Sequence, residues 1–219
     1  MTYQLLTAEK RDKAVVVTLN RPEKRNALST DLRNEIDRYL EEMEADDSVS
    51  VVVVTGAGPV FCAGFDTKEF ETTPPAEIFS GESSRRYHHR VQHFAKPLVA
   101  AVNGPAMGGG FDLAVLCDVR IAAETAAFGH PEIKFGAPTL FGPLAAIIGG
   151  GLARDLCLSG RRIDAQEALR IGLVSAVVPG ERLLEEARAA ARTIAEAPPA
   201  TLRAVKASIV EATGWKFEL

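Results

Sequence analysis

Residues 51–54 are four consecutive valines, closed two positions later by Gly56. Successive side chains of a strand point to opposite faces, so an unbroken β-branched run belongs to a strand covered on both sides. Residues 98–102 and 119–122 have a similar character. Covering such a sheet requires helices, and helical spacing is present between and after these runs. Ser29 is placed to cap a helix with the stripe Leu32, Ile36, Leu40 and Met43. Residues 108–117, 141–157, 165–171, 182–197 and 199–212 also read as helical, so strands and helices alternate and helices take over late. Residues 3–6 and 14–19 are β-rich and flank the charged turn Arg11-Asp12-Lys13, which predicts a hairpin. Residues 72–82 contain Pro74-Pro75 and no period, and read as a loop over a site.

The chain has 219 residues, 47% of them hydrophobic, enough for one substantial core. The net charge of −4 and pI near 5.7, with scattered basic residues, exclude a nucleic-acid footprint and leave local spots for one phosphorylated ligand. Cys62, Cys117 and Cys157 are odd in number, lack a C-x-x-C pair and have apolar neighbours. They read as buried thiols of a reducing compartment, so a cytoplasmic location is expected. Met1 to Lys10 lacks the pattern of a secretory leader, and no apolar run approaches a membrane span.

Gly56-Ala57-Gly58 follows a buried strand, but Phe61 stands where a dinucleotide fingerprint needs its third glycine. Neither a phosphate loop nor a G-x-S-x-G elbow occurs. His89 and His93 have metal-ligand spacing, yet Arg90 replaces the acid of H-E-x-x-H, so they read as a polar helix face and no metal is expected. His130, beside Pro131, reads as a packing and hydrogen-bonding residue. Gly108-Gly109-Gly110 is different, because it opens into an apolar stretch with Asp112 in its first turn. Glu132 follows twenty residues later. Bare amide donors beside a proton carrier are what enolate chemistry requires, and Asp112 lies about one helical turn beyond Gly109 on the same face. Each acid alone has a plainer reading, as a helix-start or turn-end charge. Together they point to an enzyme.

Several blocks, in order, carry a resemblance. They are Leu19-Asn20-Arg21-Pro22 with Asn26-Ala27-Leu28; Pro59-Val60-Phe61-Cys62-Ala63-Gly64-Phe65-Asp66; Lys96-Pro97 through Asn103-Gly104 to the glycine run and Cys117-Asp118; Phe128-Gly129-His130-Pro131-Glu132; and Leu158-Ser159-Gly160 to Gly172-Leu173-Val174. From about residue 14 to about residue 210 the chain resembles the enoyl-CoA hydratase/isomerase (crotonase) family. The resemblance implies an α/β fold, a crotonase-like spiral of ββα units with C-terminal helices. Residues 1–195 would form the spiral core and 196–219 a short helical segment. It further implies trimers or dimers of trimers, an acyl-CoA thioester substrate and no cofactor beyond the coenzyme A of that substrate. By resemblance the amides of Phe65 and Gly109 hold the thioester oxygen, and Asp112 and Glu132 are the acid and base, in either order. Lys24, Arg25, Ala27, Ala63, Asp66 and Lys68 fall where the family holds the adenine and phosphates. Gly108, Leu140 and Phe141 fall at the acyl site.

The departures bear on the reaction. The first acid is aspartate where hydratases carry glutamate, and Leu140 and Phe141 make the following wall bulkier and more apolar. An aspartate after the glycines resembles dienoyl-CoA isomerases, but their further aspartate, eight residues past the glutamate, is Leu140 here. Hydration of a 2-enoyl-CoA is the first expectation, double-bond isomerisation the alternative, and a non-catalytic binding member the third. Relative to the family the chain ends early, at Trp215-Lys216-Phe217-Glu218-Leu219, where exposed apolar surface would favour oligomers.

Overall fold

The charged turn at Asp12 does make a hairpin: β1 (Leu6–Arg11) and β2 (Ala14–Leu19) pair antiparallel, with Arg11 opposite Ala14 and Asp12 at φ 54°. The first strand starts where the sequence placed its end. Five of its six residues are exposed, so its charged composition hides an edge strand from a hydrophobicity pattern. The computed structural model describes residues 3–213; Trp215 to Leu219, where exposed apolar surface was expected, lie outside the described residues.

Helix α1 (Thr30–Ala45), capped by Ser29, whose side chain accepts from the Leu32 amide, leads to β3 (Val51–Gly56). Next come α2 (Pro75–Ser80), α3 (Glu82–His93) and β4 (Leu98–Val102). The chain then steps between two sheets, through β5 (Pro105–Met107), α4 (Gly109–Leu116), β6 (Val119–Ala123) and β7 (Ala127–Gly129). Helices α5 (Phe141–Ile148) and α6 (Gly150–Ser159) precede β8 (Ile163–Asp164), α7 (Ala165–Arg170) and β9 (Ala176–Val178). Finally α8 (Leu183–Ala195) and α9 (Pro199–Thr213) close the described chain. The large sheet has the order β1-β2-β3-β4-β6-β9 and the small one β5-β7-β8, so β4 to β5 and β6 to β7 each hand the chain from one sheet to the other. This is the expected spiral of ββα units.

The valine run now has its reason. Val52 and Val54 face the cluster formed with α1, α3 and α4, while Val51 and Val53 face Leu183, Ala187 and Ala191 of α8. Every residue of β3 is buried. In β6 the buried Arg120 turns its guanidinium onto the carbonyls of Ala114, Cys117 and Leu173, at 3.3, 2.5 and 2.7 Å. It thereby satisfies the open C-terminal end of α4. Lys206 of α9 is buried against Asp118 at 2.6 Å, and Asp118 also accepts from the Leu98 amide, which ties α9 to the sheet.

Two expectations change. Residues 72–82 are not a loop: they hold α2 and the start of α3, because Pro75 stands in the first turn, where a helix needs no N–H donor. The helical stretch 141–157 is two helices, parted at Gly149 with φ 79°. Strands β5, β7, β8 and β9 were not visible in the sequence; at two or three residues each they are too short to display a period.

Candidate active site

The site begins with a loop that is fastened before any catalytic group is reached. Asn26, in the left-handed region with φ 55°, accepts from the Arg21 amide and donates to the carbonyls of Ala57 and Val60 at 2.9 and 2.8 Å. Leu28 donates to the Gly64 carbonyl at 2.8 Å, and the Met107 amide donates to the Cys62 carbonyl at 3.0 Å. The segment around Gly64 is thus clamped between the Leu28 loop and β5. A methyl group built on Gly64 would lie 2.9 Å from the Met107 carbonyl and 3.4 Å from the Gly109 nitrogen. One built on Gly110 would lie 2.3 Å from the Cys62 carbonyl. These glycines permit a backbone approach that any side chain would prevent. The amides of Phe65 and Gly109 accordingly sit on neighbouring segments at one wall, and neither has a protein acceptor among the described residues.

Gly108 adopts φ 53° and ψ −129°, a conformation essentially reserved for glycine, and its amide donates to the Gly129 carbonyl. This turn starts α4 and brings the glycine run onto the segment that carries the second acid. A methyl group on Gly108 would lie 2.9 Å from Glu132 Oε2. Glu132 itself stands in a 3-10 turn spanning Pro131–Phe135, with proline again at the first position. Asp112, in the first turn of α4, is buried, and burial raises its pKa to about 7; His130 opposes that rise and Glu132 adds to it.

Between the acids lies His130, with no exposed surface. Its Nδ1 is 2.7 Å from Glu132 Oε1 and its Nε2 is 3.7 Å from Asp112 Oδ1, while Phe111 packs on the ring at 4.7 Å. Burial pushes the imidazole pKa down, but the charge of Asp112 and the hydrogen bond and charge of Glu132 outweigh it, so the net shift is upward. Ligand atoms of Asp112, His130 and Glu132 lie within 4.8 Å of one another, the arrangement among the described residues that a metal ion could use. The 2.7 Å between Nδ1 and Oε1 is a hydrogen-bond length, and the pair satisfies itself by that bond.

The acids and both amide positions open onto one cavity of about 630 Å3, whose other walls include Phe79, His88, Leu140 and Phe141. Phe65 and Phe79 meet edge to face at 4.9 Å, and Arg33 stacks over the Phe65 ring at 4.8 Å. Amide donors, two carboxyls and an apolar chamber therefore share one space. The sequence matches the family described as enoyl-CoA hydratase/isomerase over residues 9–216. The chain belongs to that family. A probable enoyl-CoA hydratase of Mycobacterium bovis is 41% identical over 212 residues, covering 95% of this chain and 82% of the relative. The short-chain-enoyl-CoA hydratase of Clostridium acetobutylicum is 39% identical over 206 residues, covering 92% and 79%. The crystal structure of an enoyl-CoA hydratase from Bacillus anthracis superposes with a TM-score of 0.90 at 36% identity, covering 97% of this chain and 85% of that one.

Within this member of the enoyl-CoA hydratase/isomerase family, the residues singled out from the sequence fall into two groups. Phe65, Gly108, Gly109, Asp112, Glu132, Leu140, Phe141 and Ala63 line the cavity. Lys24, Arg25, Ala27, Asp66 and Lys68 stand beside it, joined to it where the Ala63 amide donates to the Arg25 carbonyl at 3.0 Å. Lys24, Arg25 and Lys68 are exposed. The Asp66 carboxylate is buried and engaged by Arg21 at 3.0 Å and by the Lys68 amide, so that segment offers a ligand main chain rather than charge. Two histidines bear on the site that sequence reasoning did not assign to it. His130 was legible as a hydrogen-bonding residue, but its neighbours across the fold were not. His88 was passed over for His89 and His93, whose stacked rings lie on the exposed face of α3. Burial lowers the His88 pKa to about 4, and its Nδ1 lies 2.8 Å from the Ser84 carbonyl, so a neutral ring reaches the cavity. Its signal was its position one residue from the apolar stripe of Tyr87, Val91 and Phe94.

Proposed function

We propose that the protein adds water across the C2=C3 bond of a 2-enoyl-CoA thioester. The observation that carries this reading is the approach of the Phe65 and Gly109 amides to one cavity wall with Asp112 and Glu132 on the same cavity. Fixed donors hold the negative charge that develops on the thioester oxygen, and each such donor is worth about 3 kcal/mol of barrier. Glu132, which accepts from His130, takes a proton from water; the water oxygen bonds to C3, and the π pair moves to C2 and the thioester oxygen. Asp112, with its pKa raised to about 7, is the acid that protonates C2. One water is added, and the two acids together hold the same number of protons before and after. The reaction asks for no cofactor besides the coenzyme A of the substrate. Lys24, Arg25 and Lys68 supply positive charge for its phosphates, and the Ala63 carbonyl supplies a hydrogen-bond acceptor beside the loop that carries Ala27.

Double-bond isomerisation would use the same amides, but it lacks the acid expected at Leu140, which is buried and lines the cavity. Crotonyl-CoA in 18O-labelled water separates the two: incorporation of label at C3 supports hydration, and exchange of solvent deuterium without label would replace it by isomerisation. The same reading carries a cytoplasmic homotrimer or dimer of trimers, for which exposed Leu158, at 77%, is a suitable contact group. Sedimentation equilibrium tests the assembly. Among the described residues no helix is long and apolar enough to cross a membrane.

A further inference from the structure

His130 does not line the cavity, although both acids that it lies between do. We propose that His130 is a positioning residue that bridges the two acids, donating from Nδ1 to Glu132 and sharing one proton through Nε2 with Asp112. Three buried polar atoms lack a hydrogen-bond partner here: Asp112 Oδ1, His130 Nε2 and Glu132 Oε2. Two of them, Nε2 and Oδ1, face each other at 3.7 Å. Two bare lone pairs opposed in a dry interior are costly, and one proton between them resolves the conflict with a small contraction. The third, Glu132 Oε2, belongs to the carboxyl that borders the cavity.

The residue is held on both its main chain and its ring. Phe111 packs on it, the His130 carbonyl receives the Ile133 amide at 3.3 Å, and a methyl group on Gly160 would lie 2.7 Å from that carbonyl. The titratable groups facing it are Asp112 from α4 and Glu132 from the 3-10 turn. From α6, the Cys157 thiol interacts with both acids, and burial raises its pKa, so it stays neutral. The protons therefore belong to the Asp112, His130 and Glu132 cluster rather than to a single residue. This inference deepens the hydration reading and rests on it for the kinetic readout alone.

The test is His130→Gln, which can reach one acid but carries no charge, beside His130→Leu. With crotonyl-CoA, kcat is expected to fall about tenfold or more in His130→Gln and further in His130→Leu, with KM within about twofold. Removing the cation also moves the alkaline limb of the pH profile upward, since turnover needs protonated Asp112 and His130 lowers the Asp112 pKa. A merely structural role would lower stability and leave that limb in place, and this result would overturn the proposal. Wild-type protein with 15N-labelled histidine gives a readout that needs neither a folded variant nor activity. The Nε2 resonance of His130 is expected to pass from the protonated to the unprotonated position at a higher pH than in a free imidazole, because Asp112 and Glu132 favour the charged ring. An Nε2 that stays unprotonated throughout overturns the bridge. A titrating Nε2 in a protein that does not hydrate crotonyl-CoA would keep the bridge and remove the hydration reading. Activity lost to a chelator and restored by zinc would also overturn it, because the three donors would then be ligands.

Discussion

The floor of the cavity and its mouth are built by opposite means. At the floor, Gly108, Gly109 and Gly110 bring main chain within reach of Phe65, Cys62 and Glu132, and the acids are fixed by a buried imidazole. At the mouth, Phe135 and Phe141 are 82% and 40% exposed, and Arg154 lies over the Phe141 ring at 5.7 Å. Positions that carry chemistry thus depend on backbone geometry and burial. Those that meet the rest of the acyl group depend on the side chain and tolerate exchange.

The largest effects are expected at the floor. Asp112→Ala and Glu132→Ala should each lower kcat on crotonyl-CoA by about 10^2–10^4-fold with folding preserved, as steady-state rates and circular dichroism would report. Equal activity in either variant would remove that acid from the mechanism. A pH series probes the floor in another way. Folding favours protonated Asp112, whose pKa is about 7 in the protein against 3.8 ordinarily, so its stabilisation is whole below about pH 4 and is lost as pH rises to about 7. Asp112→Asn should therefore gain on wild type by up to about 4 kcal/mol across that window in urea unfolding. A constant difference would mean that the acid is not desolvated. Gly110→Ala should cost about 3 kcal/mol, since the added methyl would meet the Cys62 carbonyl. At the mouth, Phe135→Ser should change stability by less than about 0.5 kcal/mol, leave kcat on crotonyl-CoA unchanged and raise KM for longer acyl chains only. A large loss of kcat there would erase the distinction between floor and mouth.

The same division explains what the sequence made legible. Val51 to Val54 announced a strand buried on both faces because burial there depends on composition alone. Glycines before an acid announced an amide-lined site because few uses other than close approach call for three glycines at the head of a buried helix. Hidden were features whose meaning depends on a distant neighbour. His130 becomes a bridge only when Asp112, from another element, arrives on its far side. The charged edge strand β1, whose hairpin with β2 was legible but whose extent was not, and the two-residue strand β8 show no period that a window could detect. Pro74-Pro75 misled because proline both ends and starts helices, and only the fold reveals which.

Phe65 occupies both worlds. In the proposed hydration it offers the thioester oxygen its peptide nitrogen, whereas its ring, stacked under Arg33 and against Phe79, belongs to the chamber wall. Exchange of that ring would redraw the space offered to the acyl tail while leaving the nitrogen where Gly64 and Leu28 hold it. One codon can thus retune selectivity without touching turnover, a freedom that its neighbour Gly64 does not have.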